Sequence, residues 1–143
     1  MRDLRNVLHE FWSGFYDRRG NEPVGIPAFM RGYAISRDDK GRIASNPSFP
    51  YITYEVVRPS FGDFTICTAY IWDKNPDNPG FTGLVDDVLA QIAQKIPLEG
   101  ILLDTTDGFI KLSPANPFQD YMNDPDITVV RGVVRYVVRS YLY

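Results

Sequence analysis

The last stretch of the chain, Ile127 to Tyr143, constrains the fold most. Ile127, Val129, Arg131, Val133, Arg135, Val137 and Arg139 fall on one side of it, and Val130, Gly132, Val134, Tyr136 and Val138 on the other. A period of two in residues this rich in valine specifies one long strand. About fourteen residues of it at about 3.3 Å each would span about 46 Å, whereas one domain of this length has a radius of gyration of only about 14 to 15 Å. It must therefore bend, bulge at Gly132, or reach into a partner.

The rest of the chain supplies the sheet and its cover. Leu4, Val7, Leu8, Phe11, Trp12, Phe15 and Tyr16 follow one stripe of a helix, with Asp3 to cap it and Arg19-Gly20-Asn21 to end it. From Asn21 to Pro50 the chain is rich in Gly, Pro, Ser and Asp and reads as an extended arm or loose hairpin. Apolar residues recur in this arm, so it should lie on a surface, its own or a neighbour's; Ile26, Phe29 and Tyr33 are its candidate contacts. Two strands follow, Tyr51 to Arg58 and Asp63 to Asp73, joined through Pro59-Ser60-Phe61-Gly62. The second is apolar on both faces, with Phe64, Ile66, Thr68, Tyr70 and Trp72 opposite Thr65, Cys67, Ala69 and Ile71. Such a sheet expects cover on both sides, from helices or from another subunit.

Leu84, Val85, Val88, Leu89, Ile92, Ala93 and Ile96 repeat a helical stripe that Pro97 stops. Ile101-Leu102-Leu103 and Phe109-Ile110-Lys111-Leu112 flank Asp107-Gly108 and form a hairpin. Ser113 to Asp126 holds three prolines and reads as a loop, with one turn of helix at Phe118, Tyr121 and Met122. The expectation is one α+β domain spanning 1–143, with an arm at about 21–50. Its antiparallel sheet has about five strands and carries two main helices, in the order αββαβββ. A chain of 143 residues can bury about two thirds of its surface, so one core suffices.

Composition narrows function. The formal net charge of -3 repels a phosphate backbone and disfavours a free-standing nucleic-acid binder. The first residues lack the apolar run of a secretory signal, and no stretch is long and apolar enough for a membrane span. Cys67 stands alone, which rules out an intramolecular disulfide and a cysteine-rich metal site; mid-strand, it reads as core packing.

No arrangement of residues points to catalysis. His9 is the sole histidine, and any Ser/His/Asp or Cys/His unit would have to gather its partners from elsewhere. Asp73, Asn75 and Asp77 open with the spacing of a calcium loop, but Asn78 stands where that loop needs glycine and Leu84 where it needs glutamate. Asp104 and Asp107 read as turn formers, and Asp86-Asp87 as acids suited to a helix start. Neither glycine-rich nucleotide pattern occurs. No catalytic, cofactor or metal residue is expected. The one patterned polar feature is Arg131, Arg135 and Arg139, a row about 26 Å long on one strand face, fit for a solvated face, a subunit interface or a wall meeting DNA. Two tryptophans, nine tyrosines and nine phenylalanines add to the aromatic and arginine content that interfaces favour. The rival from another class is a small α+β enzyme or ligand-binding domain with a pocket drawing on His9, Tyr54 and Asp104.

At Phe49-Pro50-Tyr51-Ile52-Thr53-Tyr54-Glu55-Val56-Val57, followed by a hairpin into an aromatic strand, the chain resembles the tail terminator or neck proteins of long-tailed bacteriophages and prophages. The opening amphipathic helix, the Gly25-Ile26-Pro27-Ala28-Phe29 arm, the helix near Leu84 to Ile96 and Val130-Arg131-Gly132-Val133-Val134-Arg135-Tyr136 suit that family in order and spacing. The resemblance implies a non-enzymatic protein of the virion neck, made in the host cytoplasm, that forms a ring, commonly a hexamer. That ring would cap the tail tube, meet the head connector and let DNA pass without specific contact. A head-completion adaptor or minor capsid protein is the alternative within the class.

Overall fold

The computed structural model describes residues 3–30, 36–37, 43–45 and 48–143. Its elements are α1 (Leu4–Trp12), β1 (Tyr16–Asp17), β2 (Val24–Gly25), β3 (Ala28–Met30), β4 (Ser36–Arg37), β5 (Ile43–Ser45), β6 (Tyr51–Tyr54), β7 (Phe64–Lys74), α2 (Gly83–Lys95), β8 (Ile101–Thr105), β9 (Gly108–Met122) and β10 (Val129–Leu142). The main sheet has six strands in the order β3-β6-β7-β10-β9-β8, with β1-β2 and β4-β5 as separate two-stranded pairs. All neighbours in the main sheet are antiparallel except β3 and β6, which are parallel. The expected antiparallel sheet of about five strands is thus a mixed sheet of six. The addition is β3, three residues of the arm that extend the sheet through Ala28↔Ile52.

α1 begins where the Asp3 carboxylate accepts the Asn6 amide at 2.9 Å. It ends at Trp12, short of the expected Arg19-Gly20-Asn21, because the chain tightens at Ser13 and Gly14, whose amides donate to the His9 and Phe11 carbonyls. Phe15 nonetheless stays fully buried. The apolar spacing reported burial, and the helix gave way to a turn that kept the same side chains inward. α2 stops at Lys95 before Pro97, as its sequence requires.

β10 runs down the middle of the sheet and is paired along both sides, with β7 from Val129↔Lys74 to Arg139↔Phe64 and with β9 from Arg131↔Met122 to Leu142↔Gly108. It therefore does not reach into a partner. Nor does it bulge at Gly132, which pairs regularly with Ile71 and Tyr121. The irregularity lies between Val134 and Tyr136, where β9 passes from Gln119 to Pro114 and accommodates Ala115-Asn116-Pro117-Phe118 opposite Arg135. The expected loop over Ser113 to Asp126 is consequently strand as far as Met122. Its prolines are tolerated because a bulge relieves the missing ladder donors. Tyr121 and Met122 lie on strand rather than on a turn of helix, and Phe118 packs against the core.

Both helices cover the same face. Trp12 of α1, fully buried, lies 5.3 Å from the Tyr136 ring, and its ring stacks on Tyr54 of β6. Gly132 admits α2: a Cβ there would stand 2.6 Å from Val85 Cγ1. The Gln119 side-chain amide ties β9 to α2 by donating to the Leu89 carbonyl at 2.7 Å. The core is the layer between, built from Leu8, Trp12, Phe15, Val85, Val88 and Ile92 against Ile52, Cys67, Ile71, Ile110, Leu112 and Val134.

Candidate interaction surface

Along β7 burial alternates: Cys67, Ala69, Ile71 and Asp73 are buried beneath the helices, whereas Phe64 and Ile66 are 52% and 59% exposed on the opposite face. Cross-strand register extends that second face over Tyr51, Trp72, Arg131 and Met122 at one end and Leu102, Lys111, Arg139 and Phe64 at the other. No described helix covers it. Toward its centre this face is closed, with Val133 and Thr53 buried and Tyr70 and Trp72 half-buried; its exposed apolar surface is the end that holds Phe64 and Ile66, and an exposed apolar patch of this kind marks an interaction site.

The structure brings Arg131, Arg135 and Arg139 to this face and gives them unequal surroundings. The Arg131 guanidinium lies 4.2 Å over the Trp72 ring and pairs with Asp124 at 2.8 Å. That contact and the hydrogen bond from the Asp126 amide hold the Asp124 carboxyl below the usual carboxylate range. Arg139 lies 5.1 Å over the Phe64 ring and donates to the Gly62 carbonyl at 2.8 Å. Arg135, opposite the β9 bulge, keeps a buried Nη1 with no hydrogen-bond partner among the described residues. Arg131 Nε is likewise buried without a hydrogen-bond partner among the described residues, so what the face offers outward is the aromatic and aliphatic surface at Phe64 and Ile66.

The arm residues diverge. Ile26 is buried in the protomer's own core, and Phe29 is half-buried with its ring 6.1 Å from Tyr51 at the edge of the bare face. Tyr33 lies outside the described residues.

The other singled-out residues serve local structure. His9 Nδ1 lies 3.0 Å from the Tyr54 hydroxyl and Nε2 lies 3.3 Å from Ser13 Oγ, beside a cleft of about 370 Å³ lined by Asp3, Arg5, Asn6 and Phe29. Burial pushes the Tyr54 phenol above its ordinary pKa, with Arg5 opposing, so the phenol keeps its proton. Asp104 is not part of this group; it lines a separate cleft with Glu10, Lys95 and Leu102. Cys67 is buried, and desolvation pushes its thiol up to about 12. Asp73 is buried and accepts from Arg19 at 3.4 Å and Asn75 at 3.2 Å. Asp107 lies 4.0 Å from Arg58, and Asp87 pairs with Arg18. Among the described residues no three His, Cys, Asp or Glu side chains gather closely enough to hold a metal ion.

Sequence reasoning missed the free edge at β8, where Leu98 is 88% and Leu102 61% exposed beside the exposed Glu99. The run Ile101-Leu102-Leu103 looks uniformly core-forming, and only the pairing with β9 shows that Leu102 points to the bare face. Comparison of the chain with protein-family models, curated proteins and solved structures returns no significant match.

Proposed function

We propose that this chain is a structural protein of a bacteriophage or prophage neck, a tail terminator whose copies form a ring, commonly of six, that caps the tail tube and meets the head connector. The observation that carries the reading is the apolar end of the second sheet face, where Phe64 and Ile66 stand in water although Val133 and Thr53 nearer its centre are buried. Heterologous contacts repeated around an axis close into rings, and the two outer strands, β3 and β8, leave edges through which copies can also join. Arg131 and Arg139 are engaged by neighbouring groups, so the arginine row suits a subunit contact better than a grip on passing phosphate. No enzymatic step is assigned. The Ser13-His9-Tyr54 chain puts a phenol, and no carboxylate among the described residues, on the imidazole.

Negative-stain microscopy of the purified chain, alone and with isolated tail tubes, tests the reading. Rings, and tubes closed by a ring at one end, are expected. Monomers that leave the tubes open overturn it. Binding to connectors with no binding to tubes points instead to a head-completion adaptor.

A further inference from the structure

The cleft of about 370 Å³ beside α1 brings a cation, a buried hydroxyl and an apolar wall together. Arg5 and His9 stand four residues apart on α1, hence on one side of the helix, and both line it. β6 supplies Tyr54, which is 3% exposed and stacks on Trp12 while its hydroxyl lies 3.0 Å from His9 Nδ1. A phenol can donate once and accept as well, so its contact with His9 leaves hydrogen-bonding capacity for the cleft. Burial keeps the proton on this phenol, so an anion there meets a donor rather than a second negative charge. Arg5 bears electrostatically on the same phenol, and no ion pair holds its guanidinium among the described residues. Asp3, the acid of the lining, is turned to the helix start, where it accepts the Asn6 amide at 2.9 Å.

The apolar wall is Ala28-Phe29-Met30 of β3. Met30 is half-buried against the core, and a thioether makes favourable contacts with an aromatic ring. A dry cavity of about 150 Å³ accepts benzene, so this cleft has room for a ring and a charged group beside it. We infer that the cleft binds a small carboxylate carried on a flat apolar body. The carboxylate accepts from the Arg5 guanidinium and the Tyr54 hydroxyl, and the body lies along Ala28 and Met30. With its hydrogen given to the ligand, the Tyr54 oxygen accepts one from His9 Nδ1. His9 is thus a positioning residue whose ring tautomer reports occupancy. The inference goes beyond the neck reading and calls on no oligomer.

His9 is the sole histidine, so NMR of the full chain reads its imidazole without ambiguity. Phenylacetate is the probe, and phenethyl alcohol is its neutral analogue. The expected result is a saturable shift of the His9 ring signals with a Kd below about 10 mM and a bound form carrying its hydrogen on Nδ1, with no such response to the alcohol. Arg5→Gln and Tyr54→Phe each weaken binding about tenfold, with circular dichroism and thermal unfolding checking that the fold is kept. Arg5 is exposed, so its variant isolates the charge should Tyr54→Phe fail to fold. An equal response to phenethyl alcohol overturns the inference in favour of an unselective apolar groove, and an equal response to acetate does so in favour of an adventitious ion only. Unchanged affinity in Arg5→Gln, a bound form with its hydrogen on Nε2, or no shift at about 10 mM phenylacetate also overturns it, and each leaves the neck reading standing.

Discussion

Gly132 is the residue where the packing is tightest and the sequence least explicit. Its place in a valine-rich strand suggests a bulge, yet its backbone is regular and what it lacks is a side chain in the path of Val85. Valine is stiff about χ1, and Val85 is fully buried, so an added methyl must move α2 itself. Gly132→Ala is expected to destabilise the protein by about 1 to 3 kcal/mol, measured by denaturant unfolding; a change within a few tenths would mean that α2 rides more loosely than described. Cys67 offers a second test at this scale. A buried thiol with its pKa pushed up to about 12 presents almost no thiolate at pH 8. Labelling by a thiol reagent should proceed at the rate of unfolding, and rapid labelling of the native protein would contradict the burial. Trp12 Nε1 and Tyr136 Oη are both buried without a hydrogen-bond partner in standard geometry among the described residues. The Trp12 indole still bears on Tyr136, opposing the stronger effect of burial that raises its phenol pKa well above the ordinary value.

The β9–β10 hairpin shows how ion pairing enters stability at the level of an element. Asp124, largely buried, holds Arg131 over Trp72, and its carboxyl pKa is depressed, first by the Arg131 hydrogen bond. A depressed folded-state pKa stabilises above the unfolded value of about 3.9 and is lost as pH falls through the folded value. Asp124→Asn should therefore lower stability at neutral pH, with the gap to the parent chain closing below about pH 4. A gap that persists undiminished in acid would assign the effect to packing.

The elements themselves were unevenly legible. α2, the β8–β9 hairpin and the two-faced β7 and β10 follow from periodicity and turn chemistry, because Pro97 and Gly108, at φ 138°, leave few alternatives. α1 came out shorter than its stripe, since Phe15 reaches the core from a turn as readily as from a helix. β9 was hidden because its ladder survives two prolines only by bulging opposite Arg135, a compensation that lives in β10 and not in β9. β3 was hidden for a related reason: three residues join the sheet only through a parallel partner more than twenty positions onward. The interaction surface was half visible. The apolar alternation of β7 and the arginine spacing of β10 mark the face, but Leu102 needs the pairing with β9 to be placed on it.

For the molecule as a whole, the described residues form one core beneath two helices, and the other side of the six-stranded sheet exposes apolar side chains at Phe64 and Ile66. With a net charge of -3, the proposed assembly would draw on contacts that bring carboxylates of one copy to arginines of the next. Such contacts are screened, so assembly through them should weaken as salt rises while the fold persists. The central claim is that the sheet is completed by further copies of the chain. Light scattering of the purified protein across micromolar concentrations measures this most directly: a mass that is a constant multiple of 16.3 kDa is the result predicted, and a mass of one chain at every concentration would contradict it.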